Sequence, residues 1–235
     1  MVYIRIVLVE PRYAGNIGSI ARIMKNFGFN DLILIKPPVI NLESKKMAMH
    51  ASDILENAKI YDSINDVIDN SDYVIGTTSV VGGRSNVRRL YITPKDLKTI
   101  LKYKKDIVSI LFGREDNGLS NEELKLCDAV LNIPSSSDYL ALNLAQSVGI
   151  ILYELYTSEK NVINKKYFPD RNDLIYFEEH LLRLLYRINF PKTDKEKTVL
   201  MIKRILATAG VGSREIKHIR GILSAIEKKI DEKEE

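Results

Sequence analysis

The sequence predicts an α/β fold, an open and mostly parallel sheet followed by a small all-helical C-terminal extension. Over the first ~155 residues, short β-branched runs alternate with helical patterns. Those runs are continuously apolar, as in strands covered on both faces, rather than alternating. After Tyr156 a polar, proline-containing stretch leads into three amphipathic helical patterns with no strand between them. The expected organisation is residues 1–157 as the sheet domain, 158–172 as linker and 173–235 as the helical domain.

In chain order, the strands are expected at Ile4 to Val9, Leu32 to Ile35, Tyr73 to Thr77, Ile107 to Phe112 and Ala129 to Ile133. The helices between them are expected at Ile17 to Phe27, Ile64 to Asn70, Pro94 to Tyr103 and Asn121 to Cys127, the last with Ser120 and Glu123 as a capping box. A long helix from about Leu140 carries Leu144, Val148, Ile151, Leu152 and Leu155 on a wide apolar face, with Asn143 in its first turn. That face exceeds what one side of a sheet covers, so part of it is expected to meet a second copy of the chain. Beyond the linker, helices are expected near Asp173 to Ile188, then from a Thr193 or Asp194 N-cap to about Ala209, then after Ser213 as N-cap. The terminal "KKIDEKEE" is expected to fray.

A chain of 235 residues and 26.8 kDa holds one ordinary core, or one domain with a smaller appendage. The longest apolar runs are far below the roughly 18 residues of a membrane span. The N-terminus lacks the order of a signal peptide, so a cytoplasmic protein with no membrane partner is expected. A single cysteine, Cys127, cannot close an internal disulfide and reads as a small buried residue. His50, His180 and His218 are scattered without ligand spacing, so no metal is expected. The net charge of +4 is unevenly placed: residues 1–160 balance at 19 basic and 19 acidic, whereas 161–220 carry 13 against 7. A neutral domain followed by a basic helical one fits a nucleic-acid-facing appendage, and fits solvated helix faces equally.

In open parallel sheets ligands sit beyond the carboxyl ends of the strands, so the residues after each strand hold the chemistry. The first such stretch is "EPRYAGNIGS". Gly15 and Gly18 read as residues that let the backbone turn tightly, leaving amides at a helix start to face a phosphate or carboxylate; an ordinary βα turn fits as well. The G-x-x-G spacing is not the dinucleotide fingerprint, and the acidic ribose contact is missing at its expected offset. Arg22, one turn inside the expected helix, is placed to fork onto a phosphate or to stand in solvent. The second stretch, "FGREDNGLSNEEL", packs polar groups between Gly113 and Gly118, which marks a ligand site or an exposed turn. The third is "IPSSSDYLALNLAQSVGIILYE". A Gly-rich segment, "TSVVGGRSNVRRLYITP", carries Arg84, Arg88 and Arg89 and reads as an RNA-contacting loop, with a solvated loop as the alternative.

Together these stretches resemble the three motifs, in order, of the SpoU/TrmH class of SPOUT RNA 2′-O-methyltransferases. The opening "IRIVLVEP" and closing "KRILATAGVGSREIKHIRGIL" resemble its TrmJ subgroup, which methylates the ribose of nucleotide 32 in the tRNA anticodon loop. The resemblance implies a SPOUT sheet tied in a deep C-terminal trefoil knot, S-adenosylmethionine as methyl donor with S-adenosylhomocysteine as product, tRNA as substrate and an obligate homodimer. It implies that Arg22 holds the target phosphate and that Asn16, Glu115 and Asn143 line the reaction site as catalytic residues. Thr78, Ser79, Gly113, Gly118, Ile133 and Leu142 would lie along the donor. One position departs from the pattern: Ala141 stands in "YLALN" where the family usually has Ser or Thr. The expected activity is ribose methylation of tRNA cytidine or uridine 32. Another tRNA position, ribosomal RNA, or a non-catalytic RNA-binding protein of the same fold are the alternatives.

Overall fold

The computed structural model describes residues 3–80, 91–101, 107–157, 169–190 and 194–234. They fall into two compact units, the first ending at residue 157 and the second beginning at residue 169.

The first unit is a six-stranded sheet with helices. In chain order it comprises β1 (Tyr3–Val9), α1 (Ala14–Asn26), β2 (Asp31–Ile35), α2 (Leu42–Ala48), α3 (Ser52–Glu56), β3 (Lys59–Tyr61), α4 (Ile64–Ile68), β4 (Tyr73–Thr77), α5 (Pro94–Leu101), β5 (Ile107–Phe112), α6 (Asn121–Lys125), β6 (Ala129–Leu131) and α7 (Leu144–Thr157). The strand order is β3-β2-β1-β5-β4-β6, and every pairing among these strands is parallel. Val7, Val9, Ile33, Ile35, Val74, Leu111 and Val130 form one buried face, covered by Val67 and Ile68 of α4 and Leu124 of α6. Residues of the other parity, such as Ile6, Leu8, Leu34, Ile75 and Ile110, are equally buried. Burial on both faces explains why the strands read as unbroken apolar runs.

Several expectations are corrected. β3 is a three-residue edge strand with two exposed positions, so it has no apolar run to announce it. α2 was not expected either; Asn41 starts it by accepting from the amides of Glu43 and Ser44. α1 begins at Ala14, three residues before its expected start, so Gly15 and Gly18 lie inside the helix rather than in a turn. Gly18 is needed because α2 crosses there: a Cβ would stand 2.0 Å from the Ser44 carbonyl oxygen. β6 stops at Leu131 rather than Ile133. α7 begins at Leu144, because Asn143 caps it from outside: its Oδ1 accepts from the Ala145 and Gln146 amides.

The second unit contains α8 (Arg171–Arg187), α9 (Lys195–Thr208) and α10 (Ser213–Glu234). α8 packs on both others, burying Leu174, Phe177, Leu181 and Leu184 with Val199 of α9 and Ile216 of α10. Asp194 caps α9. Ser213 is the first helical residue of α10, and its hydroxyl accepts from the Asp170 amide instead of capping its own helix. The C-terminal end does not fray before Glu234. Glu227 accepts from His180 and Arg183, and Asp231 pairs with Arg187, so ion pairs to α8 hold the last turns of α10. Four basic side chains of the expected nucleic-acid face, Arg183, Arg187, Lys203 and Lys217, are paired with acids inside this bundle.

Candidate active site

The carboxyl ends of β4, β5 and β6 open into one cleft, with about 850 Å³ of space including solvent at its mouth. Thr77, Phe112 and Leu131 end the strands, and the loops that follow form the walls. Thr78, Ser79, Gly113, Gly118, Ile133 and Leu142 all line it.

Backbone contacts hold those walls. The Thr78 amide donates to the Leu131 carbonyl at 2.9 Å, and the Asn132 side-chain amide donates to the Thr78 carbonyl at 2.9 Å. Gly113 admits the return of its own loop: a Cβ there would stand 2.1 Å from the Gly118 carbonyl carbon. Gly118 has φ +66°, the left-handed conformation that glycine adopts without penalty.

Asn16, Glu115 and Asn143, from three distant stretches, form one hydrogen-bonded chain. The Glu115 carboxylate accepts from the Arg12 amide (2.8 Å), the Tyr13 amide (3.4 Å) and the Asn16 side-chain amide (2.8 Å). Asn16 Oδ1 accepts from the Asn143 side-chain amide at 3.3 Å. The amides of the N-cap residue Tyr13 and of Arg12 before it therefore hold a carboxylate of the protein itself at the entry to α1. Through Asn143 the same chain reaches the N-terminus of α7.

Arg22 stands elsewhere. It is exposed, lies two turns inside α1 and makes no ion pair with a described residue. Six residues on a helix separate it from Asn16 by about 9 Å along the axis and about 120° around it. Ala141 lines the cleft and presents only a methyl group, whereas Ser147, on the first turn of α7, lines it with a hydroxyl that has no partner among the described residues. Arg84, Arg88 and Arg89 lie outside the described residues. No three His, Cys, Asp or Glu side chains come together as metal ligands among the described residues, and no described helix is long and apolar enough to cross a membrane.

Residues 3–153 match the SpoU rRNA methylase family. The chain belongs to the SpoU methylase family. Residues 172–235 match a second family, the tRNA methyltransferase TrmJ C-terminal domain. Among its SpoU relatives is the tRNA (cytidine-2′-O-)-methyltransferase TrmJ of Methanocaldococcus jannaschii, 40% identical over 92% of this chain and 96% of that one. The crystal structure of TrmJ from Z. mobilis ZM4 superposes with TM-score 0.66 at 27% identity, covering 95% of this chain and 98% of that one. The SpoU methyltransferase AviRb from Streptomyces viridochromogenes, solved in complex with the cofactor AdoMet, shares the fold at TM-score 0.52 and 23% identity, over 65% of this chain and 58% of that one. The family is enzymatic, and the all-parallel α/β sheet is its fold.

Sequence reasoning missed Arg114, Asn132 and Ser147. Glu123 was legible as a capping residue, and the capping box is present, but its second partner, Arg114, was not legible.

Proposed function

We propose that the chain transfers a methyl group from S-adenosylmethionine to the ribose 2′-OH of nucleotide 32 in the tRNA anticodon loop. The observation that carries this reading is the Asn143–Asn16–Glu115 chain at the mouth of a cleft that gathers Thr78, Ser79, Gly113, Gly118, Ile133 and Leu142. The choice of tRNA, and of this position, rests on the match of residues 172–235 to the TrmJ C-terminal domain and on the likeness to the M. jannaschii enzyme.

The cleft suits the donor chemically. Leu131, Ile133, Leu142 and Leu144 offer apolar walls to an adenine ring, Thr78 and Ser79 offer hydroxyls, and Asp116 and Glu115 put carboxylates near a cationic group. S-adenosylmethionine supplies a sulfonium-activated methyl group. The chain's task is then to align a weak nucleophile with that methyl and to favour loss of the hydroxyl proton. Arg22 holds the neighbouring phosphate and offsets developing negative charge; as a permanent cation it positions and stabilises rather than accepting the proton. Asn16 and Asn143 orient the ribose, with Glu115 holding Asn16. Arg84, Arg88 and Arg89 bind RNA phosphates.

The remaining features follow from the same reading. The loops after β5 and β6 form the deep trefoil knot, around which the donor bends. The enzyme is a homodimer; Ile150, Tyr153 and Tyr156 of α7 stand exposed, the two tyrosines against Phe27 of α1, and supply apolar surface for the second copy. It acts in the cytoplasm, without a metal, as residues 1–157 for catalysis joined by 158–172 to a helical domain, 173–235.

The deciding experiment measures methyl transfer from labelled S-adenosylmethionine to unmodified tRNA transcripts by wild type and Arg22→Ala, followed by mapping of the modified ribose. Methylation at nucleotide 32, lost in the variant, supports the reading. Methylation at another tRNA position, or of ribosomal RNA as the family's description favours, is the alternative, and transfer to rRNA fragments alone would establish the latter. No transfer to any RNA would favour a binding protein, for which the methyl group of Ala141 in the cleft speaks.

A further inference from the structure

We infer that Arg114 is a positioning residue for the methyl donor: it braces the Gly113–Gly118 wall of the cleft, and it is not itself a contact for RNA phosphate. The inference rests on the donor occupying that cleft, as proposed above.

Arg114 sits between Gly113, the last approach of β5, and Glu115, the anchor of α1, and lines the cleft with both. Its guanidinium is already committed. Nη1 and Nη2 fork onto the two Glu123 oxygens, each at 3.1 Å. Nε donates to Glu10 Oε2 at 2.9 Å, and Nη1 also reaches the Gly118 carbonyl at 3.4 Å. The Arg114 and Glu123 side chains are only 17% and 15% exposed. Two carboxylates thus neutralise a side chain that would otherwise suit a phosphate.

Each partner is itself fixed. Glu123 is the N3 residue of the capping box that starts α6, and its Oε2 also accepts from the Ser120 amide at 2.6 Å. Glu10 follows β1 directly with φ 48°, a conformation uncommon for a side-chain-bearing residue, and its amide is bound to the Ile35 carbonyl. Arg114 therefore spans from the edge of β1 to the start of α6 across the mouth of the loop. The loop closes on itself through the Gly118 amide to the Arg114 carbonyl at 2.9 Å. Gly113 lets the two ends touch, but it cannot hold them; the guanidinium does. Burial acts against the charge on Arg114 less strongly than the Glu123 hydrogen bonds support it, so the brace stays ionic. A lysine would keep the charge and lose the planar fork that reaches three residues at once.

The test uses the full-length protein with Arg114→Lys and Glu10→Gln. S-adenosylhomocysteine affinity is measured by calorimetry, tRNA affinity by filter binding, and backbone amide exchange without ligand by NMR. The expected result for Arg114→Lys is donor-product affinity weakened about tenfold or more, tRNA affinity within twofold of wild type, and faster exchange at the Gly118, Arg12 and Tyr13 amides. Glu10→Gln, which removes one surface arm, should weaken the same affinity about two- to threefold. Unchanged S-adenosylhomocysteine affinity in Arg114→Lys overturns the inference, and so does a loss confined to tRNA affinity, which would make Arg114 a phosphate contact. Wild type that binds no S-adenosylhomocysteine would defeat the proposed function, and the donor role with it. The amide exchange would still report whether Arg114 braces the loop.

Discussion

The Asn16 side-chain amide donates to Glu115 Oε1 at 2.8 Å across 99 positions of sequence. This contact, with the Arg12 and Tyr13 amides on the same carboxylate, makes Glu115, which also lines the cleft, the anchor of the chain entering α1. Tyr13, at the N-cap, makes no side-chain cap bond, so the helix start has no local substitute for it.

Glu115→Ala should therefore lower stability as well as activity. The expected loss is about 1–2 kcal/mol by urea denaturation, the range for removing a helix cap. Measured below the unfolding transition, methyl transfer should fall further than stability accounts for, because Asn16 loses its orientation. If stability is unchanged, the carboxylate does not anchor α1 in solution.

Asn143 serves α7 with its oxygen and Asn16 with its nitrogen. Replacement by serine should keep most of the cap, whereas alanine should cost about 1 kcal/mol. Both variants should lose most methyl transfer, since alanine has no donor and the shorter serine hydroxyl does not reach Asn16 while it caps α7. Activity restored by serine would show that Asn143 acts only as a cap.

Gly18→Ala tests the close approach of α1 and α2. Helix propensity favours alanine by roughly 0.5–1 kcal/mol, so a packing-free site would be stabilised. Here the new Cβ meets a backbone carbonyl oxygen at 2.0 Å and Met47 Cβ at 2.9 Å, and neither is a flexible chain end. The expected outcome is net destabilisation of about 1–3 kcal/mol, read from urea midpoints. A stabilised variant would mean that the two helices separate at little cost.

The Glu123 carboxyl is held below its ordinary value of 4.5: burial alone would raise it, but the Arg114 hydrogen bonds and the Ser120 amide outweigh burial. A carboxyl lowered by folding contributes stability above its unfolded value, and that contribution is lost as pH falls through the lower folded value. Urea midpoints should therefore decline below about pH 4.5 less steeply in Glu123→Gln than in wild type. Superimposable declines would remove Glu123 from the groups that set acid stability. The glutamine variant should be less stable at neutral pH, since it loses the paired fork of Arg114.

Local pattern made much of this protein legible. Five of the six strands declare themselves as apolar runs, because a strand buried on both faces has no polar side to interrupt it. Ser120 and Glu123 announce a capping box because its two members lie three residues apart. Asn16, Glu115 and Asn143 were singled out by motif likeness, although nothing local says that they touch.

Tertiary structure decided the rest, wherever the deciding contact is remote or the segment is too short to show a period. β3 is three residues long, and its strand character comes from pairing with β2. Gly18 read as a turn residue, and only the crossing of α2 shows that it is a packing residue inside a helix. The long helix was expected from about Leu140, but Asn143 caps it from outside, so that it begins only at Leu144. Arg114 was one polar residue among several in its loop. The 104 positions that separate it from Glu10 put the meaning of its charge beyond any local period or motif, and only the folded sheet supplies its partner.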